Sequence, residues 1–484
     1  MRTIRWLSAT VSLCASVGAA CAQTPDTLKP FITEDAPVLI LNNVRLIDGT
    51  GTPASEMMRL DIDHGKIVNV QSALLRNAFP PNAKVLDLSG KTVFPGLVGM
   101  HEHLFYPLPE HRSGLLPLYG EMADSAPRLY LAGGVTSART AGSLEPYTHL
   151  SLKQDIDTGK IPGPRLFITG PYLEGDPSLG PQLHTLTGPD DAARTVNYWA
   201  AEGATSFKAY MHITPDELKA AIDAAHAKGL KVTGHLCAVG FKEAASLGID
   251  NLEHGLAVDT EFYPEKKPGV CPGQRAPQVA LSKLDVEGPE IQSTIKYLVA
   301  HQVAVTSTLA IFESFVPNRP PMSEAMRVRE SLLPQAWGDY VTVKSEIGDS
   351  AEPSLWPTLF KQELQFERDF VKQGGLLMAG CDPTGYGGVL PGFGDQRNLE
   401  LLVEAGFTPE EAIHIATENG AVWLGEREHL GTIAPGKAAD IVVVNGNPSK
   451  DIHDVEKVEI VFKDGVGYSP QKLVESVRGL MGIR

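Results

Sequence analysis

The chain has 484 residues, of which 43% are apolar and 21% charged, and a formal charge of −16. That is enough for one large barrel plus an accessory domain, or for two or three ordinary domains, and it excludes a disulfide miniprotein and a largely disordered chain. Without residues 1–22, which contribute +2 through Arg2 and Arg5, the charge becomes −18, so nucleic acid is a poor candidate partner.

The first 22 residues join the basic start at Arg2 and Arg5 to an apolar stretch over residues 6–20 and a small-residue end, Ala20-Cys21-Ala22. This pattern predicts a secretory signal peptide cleaved near Ala22. Cys21 after Ala19-Ala20 also suits a bacterial lipoprotein, although Gly18 stands where a larger aliphatic residue is usual. No later run reaches the ~18 consecutive apolar residues needed to span a bilayer. The expectation is an exported protein of the bacterial periplasm, with no membrane span.

From residue 36 to 91, short apolar runs alternate with turn signals at Asp48-Gly49 and His64-Gly65. The same grammar returns in GTIAPGKAADIVVVNG and VEIVFKDG. These stretches predict strands, and residues 36–91 and 426–470 are expected to build one composite β-sandwich domain with a second domain inserted between its halves. Residues 471–484 are expected as a C-terminal tail.

Between these halves, eight apolar segments alternate with helical stretches. They are TVFPGLVGMHEH, GGVTSART, PRLFITG, ATSFKAY, LKVTGH, IDNLEHG, QVAVTST and LLMAGCD. The βα rhythm predicts an α/β fold, a (β/α)8 TIM barrel over residues 92–425. Thr214-Pro215-Asp216-Glu217 is a capping box with a first-turn proline, and the helix it starts should run to Lys228 and stop at Gly229. Thr408-Pro409-Glu410-Glu411 repeats the device. Two stretches, residues 257–290 and 312–356, fit no repeat unit and are candidate lid or specificity loops.

The chemistry-bearing residues end the predicted strands. His101 and His103 stand two apart, which in an extended chain puts both imidazoles on one face. Lys208, in TSFKAYMH, is an odd lysine between Phe207 and Ala209. His235 ends LKVTGH, His254 ends IDNLEHG and Asp382 ends LLMAGCD. Singly, each has an ordinary alternative: a surface histidine pair, a rim lysine, a satisfied core histidine, a turn aspartate. Together they occupy the ends of strands 1, 4, 5, 6 and 8, where barrel active sites are built.

With these motifs and the closing PGKAADIVVV, the sequence resembles the amidohydrolase superfamily, within it the imidazolonepropionase-like and metal-dependent dipeptidase (carboxypeptidase) branch, over nearly all of the mature chain. The resemblance implies that His101, His103 and Asp382 hold one divalent ion and His235 and His254 a second. It further implies that Lys208, carboxylated by carbon dioxide, bridges the two. Imidazole and carboxylate ligands suit zinc, with manganese, iron or cobalt also acceptable. Asp382 is then the catalytic base and acid for water attacking a C–N bond. No GxSxG elbow points to a covalent route. Related proteins often carry threonine or another small residue where Cys381 stands, which leaves the ligand set intact.

The expected substrate is a dipeptide, an N-acyl amino acid or a cyclic amide. Tyr210, His212 and His184 are candidate substrate contacts, each with an equal structural alternative. A dipeptidase needs a cation for the free carboxylate, and Arg139 or Arg397 would have to supply it. Lactone or phosphoester hydrolysis on the same binuclear site is the nearest alternative. A deaminase fits less well, because one metal needs no bridging lysine. A catalytically inactive scaffold is the alternative from another class. Relatives are often oligomeric, so a homo-oligomer is the expectation by analogy. Of the cysteines after residue 22, Cys237 and Cys381 read as small apolar fillers, neither a metal ligand, and the pairing of Cys237, Cys271 and Cys381 stays open.

Overall fold

The computed structural model describes residues 25–108, 118–350 and 353–483. Residues 1–22, expected above as a signal peptide, lie outside the described residues.

The fold is mixed α/β. Its parallel strands are β1 (Leu97–Glu102), β2 (Val135–Thr140), β3 in two pieces (Arg165–Phe167 and Thr169–Leu173), β4 (Ser206–Ala209), β5 (Lys231–Gly234), β6 (Asn251–Glu253), β7 (Ala304–Ser307) and β8 (Leu377–Ala379). Each falls within one of the eight segments singled out above, except that the second piece of β3 runs on past Gly170 to Leu173. The first piece of β3 pairs with β2, and its second piece with β4. Pairing is otherwise between sequence neighbours from β1 to β8. Beyond β8, Asp382 N donates to His101 O at 3.0 Å, tying the carboxyl end of the last strand back to the first.

Helices between these strands start and stop where the sequence places caps. Thr214 Oγ1 accepts from Glu217 N, and Glu217 Oε2 accepts from Thr214 N, at the head of Pro215–His226. The chain then turns through Gly229 at φ +70° and enters β5. Thr408 and Glu411 form the same reciprocal pair ahead of Pro409–Ile415. In each case two of the otherwise unpaired amides of a helix start are satisfied.

Strands from both chain ends form a single nine-stranded sheet. Ile441–Val444 lies antiparallel to Thr92–Pro95, and Val466–Tyr468 pairs with Ile32–Glu34. Leu39, Leu60 and Ile67, on neighbouring strands at one end of the sheet, share one buried core with Ile441 and Phe462 from strands further along it, so the sheet curls over itself. Thr92–Pro95 belongs to this sheet, which moves the start of the parallel array from residue 92 to Leu97. Residues 471–483 are not a free tail. Pro470–Ser476 packs on the helix Ser125–Ala132, and Val477 and Met481 join Leu129, Leu332 and Leu390 in a buried cluster. No described helix is long and apolar enough to cross a membrane.

One expectation about cysteine is corrected. Cys237 is not merely an apolar filler but is disulfide-bonded to Cys271, with Cα atoms 4.9 Å apart. The bond ties the irregular segment after β6 to the turn after β5. Cys381 is free and buried.

Candidate metal centre

Each group reaches the centre from the carboxyl end of a strand. β1 delivers His101 and His103 to one side, both buried, while Glu102 between them points the other way, to Cys381 Sγ at 3.1 Å. β4 delivers Lys208, whose Nζ lies 3.2 Å from His101 Nε2. His235 and His254 follow β5 and β6, their rings 4.4 Å apart between centroids, and the His254 ring is 4.5 Å from that of His101. Asp382 closes the group, with Oδ1 3.3 Å from His103 Nε2 and 3.7 Å from His101 Nε2, and Oδ2 3.7 Å from His254 Nδ1.

Two of these residues take a left-handed backbone, His254 at φ 72° and Asp382 at φ 48°. Side chains other than glycine seldom adopt it, at a cost of ~1–3 kcal/mol each, and surrounding bonds must hold it. For His254 the clamp is buried Glu363, which accepts from Leu256 N at 3.1 Å and Ala257 N at 2.6 Å. For Asp382 it is Thr384, whose amide donates to Asp382 O at 2.7 Å and whose hydroxyl donates to Oδ1 at 2.9 Å.

Burial sets the charge states. It pushes His103 and His235 down to about 3 and His254 well below the usual imidazole range, so all three are neutral at pH 7 and present lone pairs. It also pulls Lys208 down to about 8, against the opposing charges of Glu253 and Asp382. Burial works against an ionised Asp382, but the surrounding imidazoles outweigh it and hold the carboxyl well below the carboxylate range. Glu253 likewise stays ionised despite burial, held by Arg139 and His101.

The donor chemistry fits a divalent cation. His101, His254 and Asp382 each bring a ligand atom within 4.8 Å of the others. Neutral imidazoles beside a carboxylate are a common donor set for zinc and similar ions. His103 Nδ1 is buried without a hydrogen-bond partner among the described residues. His101 Nδ1 meets Glu253 Oε2 at 2.8 Å, which directs Nε2 toward the centre. A carboxylate behind a histidine fixes its tautomer and raises its basicity as a ligand.

All six candidate ligands line one cavity of about 110 Å3, together with Phe105, Tyr119, Tyr172 and Tyr210. Tyr210 is thus beside the centre, its ring 5.3 Å from His235. The other four substrate candidates are elsewhere. His212 Nδ1 is bonded to Glu174 Oε1 at 2.6 Å, off the cavity wall. His184, half exposed, pairs with Asp191 at 3.1 Å and lines an adjoining outer cavity. Arg139 is wholly buried beneath the centre, with Nη2 2.8 Å from Glu253 Oε1. Arg397 is held by Glu313 at 2.7 Å and Glu400 at 2.5 Å. Neither arginine reaches the cavity, because buried carboxylates already engage both guanidinium groups.

Sequence reasoning missed Glu253, Tyr172 and Thr384. An acidic residue inside the apolar segment IDNLEHG was a usable signal for Glu253. Tyr172 and Thr384 carried none, since their roles depend on how separate loops meet.

Residues 366–467 match the model of the Amidohydrolase family. The chain is 38% identical over 75 residues to adenine deaminase 2 of Jannaschia sp. (strain CCS1) and 37% identical over 75 residues to an N-substituted formamide deformylase of Arthrobacter pascens. Each match covers 15% of this chain, and the chain spans only 12% and 13% of those relatives. A crystal structure of a Xaa-Pro dipeptidase with bound methionine aligns over 89% of this chain and 100% of its own, with a TM-score of 0.63 and 22% identity. The family match is thus confined to residues 366–467, and the structural likeness shows a shared fold.

Proposed function

We propose that the protein is a binuclear metal-dependent hydrolase that cleaves an amide bond in a small substrate, releasing a carboxylic acid and an amine. The main support is the convergence of His101, His103, Lys208, His235, His254 and Asp382 around one cavity. The eight parallel strands are taken as a closed (β/α)8 barrel, a reading supported by their neighbour-to-neighbour pairing and the bond from Asp382 N to His101 O. The curled sheet of both chain ends is taken as the β-sandwich domain. Export to the periplasm is supported by the Cys237–Cys271 disulfide, since such bonds persist in oxidising compartments.

His101, His103 and Asp382 would hold one divalent ion, zinc by preference, and His235 and His254 a second. A lysine near pKa 8 is partly neutral at physiological pH, and only the neutral amine has a lone pair for carbon dioxide. Lys208 could therefore add carbon dioxide, forming an N–C bond and losing an N–H proton to solvent, and the carbamate would supply an anionic two-oxygen ligand to the ions. Bound ions lower the pKa of water to about 7 and polarise a carbonyl.

The chain's own groups do the rest. Asp382 accepts the proton of the attacking water on a carboxylate oxygen and returns it to the departing nitrogen. Thr384 holds that carboxylate in place through Oδ1. Arg139 and Glu253 fix the orientation of His101 from below. Because Arg139 and Arg397 are engaged elsewhere, neither supplies the cation on which a dipeptidase reading depended, and uncharged amides are the better substrate class.

Metal analysis joined to hydrolysis of an amide panel tests this reading. Bound divalent ion, amine release from at least one amide, and loss of that release in Asp382→Asn are expected. A metal-free protein, or a turnover unchanged in Asp382→Asn, would refute it.

A further inference from the structure

Two cavities of different size meet at the metal centre. His235, His254, Asp382 and Thr384 line both. On one side about 110 Å3 lies against Phe105, Leu144, Tyr172 and Leu183. On the other about 270 Å3 lies against Ile311, Phe312, Phe315 and Trp356.

In the larger lobe the rings form a continuous set. Phe312 is 5.9 Å from His254, and Trp356 is 5.5 Å from Phe312 and 4.9 Å from Phe315, between ring centroids. In the smaller lobe Tyr172 and Tyr210 are in edge contact at 4.8 Å, and Phe105 stacks on His103 at 4.4 Å, which narrows the space. An apolar cavity of ~150 Å3 accepts a benzene ring. The larger lobe exceeds that size and the smaller falls short of it. Lys208 is the one lysine or arginine lining either lobe among the described residues, and its Nζ faces His101. Asp259, Thr260, Gln274 and Gln278 also line the larger lobe, and burial pushes the Asp259 carboxyl well above the usual carboxylate range, which favours its neutral form. Sites of this kind bind by burying apolar surface, with a few polar groups fixing orientation.

Resting on the amide-hydrolase reading, we propose that the substrate is an amide with two uncharged and unequal flanks. An aromatic group lies among Phe312, Phe315 and Trp356, and a compact aliphatic group lies against Leu144 and Leu183. The scissile bond then sits where the lobes meet, beside Asp382.

The test uses zinc-replete full-length protein and four uncharged secondary amides. Two carry phenyl on one flank and isopropyl on the other, in either orientation; one carries phenyl on both flanks, and one methyl on both. Binding is read by calorimetry on isosteres in which CH2 replaces the amide NH, and hydrolysis by amine release. One of the mixed compounds should bind at least tenfold more tightly than either symmetric one. Trp356→Ala should abolish the preference for phenyl, and Leu183→Phe the preference for isopropyl over methyl, each leaving the other preference intact. Equal or tighter binding of the bis-phenyl compound, or bis-methyl binding within twofold, would overturn the proposal. Hydrolysis with a flat binding order defeats the two-lobe proposal alone. The expected binding order without hydrolysis of any compound defeats the amide-hydrolase reading and leaves the lobes standing.

Discussion

Glu253 stands behind His101, its Oε2 2.8 Å from the ring Nδ1, and its other oxygen receives Arg139 Nη2 at 2.8 Å. All three side chains are fully buried. The relay joins the carboxyl end of β2 to β1 through β6, so a residue with no contact to the cavity orients a candidate ligand.

Glu253→Gln keeps the shape of this relay and removes its charge. Metal affinity should fall ~10–100-fold, as for other carboxylates behind ligating histidines. Competition with a metal chelator measures it, and excess metal should restore turnover. Unchanged affinity would mean that the contact is only packing.

Arg139→Leu leaves the buried carboxylate of Glu253 without its guanidinium partner. Breaking such a pair costs about 3–5 kcal/mol. Chemical denaturation should register a loss of that order, whereas a substrate-binding arginine would alter KM and leave stability alone.

Lys208 gives the metal-free protein a pH signature. Its folded value, about 8, lies below the model lysine value of 10.5, because burial disfavours the ammonium. Between those values the unfolded chain binds more protons, so stability rises with pH over that window and is lost as pH falls through about 8. Lys208→Met should remove up to about 3 kcal/mol of that rise. Denaturant midpoints of both proteins at pH 7 and pH 10 measure the difference, and parallel curves would contradict the placement of a protonatable lysine there.

The Cys237–Cys271 bond closes a segment with a sequence separation of 34. Loop-closure entropy for such a length predicts roughly 3–4 kcal/mol of stabilisation. Cys237→Ser with Cys271→Ser should lose an amount of this order in a denaturant titration, and reductant should then have no further effect.

The strand-ending candidate ligands were legible because the two-residue period of a strand and the capping boxes fix register locally. His101 and His103 share a face for that reason, and Thr214 and Glu217 set where β5 begins. Thr92–Pro95 was misplaced because an apolar run does not reveal whether it pairs with residues 441–444 or with β2. Arg139 and Arg397 were misassigned for a similar reason. The sequence shows the charge of an arginine, while the carboxylates that claim these two, Glu253 and Glu313, come from distant parts of the chain. Cys237 and Cys271 meet only because the segment after β6 folds back over β5, a path that spacing does not encode.

Metal stoichiometry of the purified protein, measured by plasma mass spectrometry against protein concentration, tests the central claim most directly. The account predicts two divalent ions per chain, falling to one or none in His254→Ala. A purified protein that holds no divalent ion after incubation with zinc, and whose turnover is indifferent to a chelator, would contradict it.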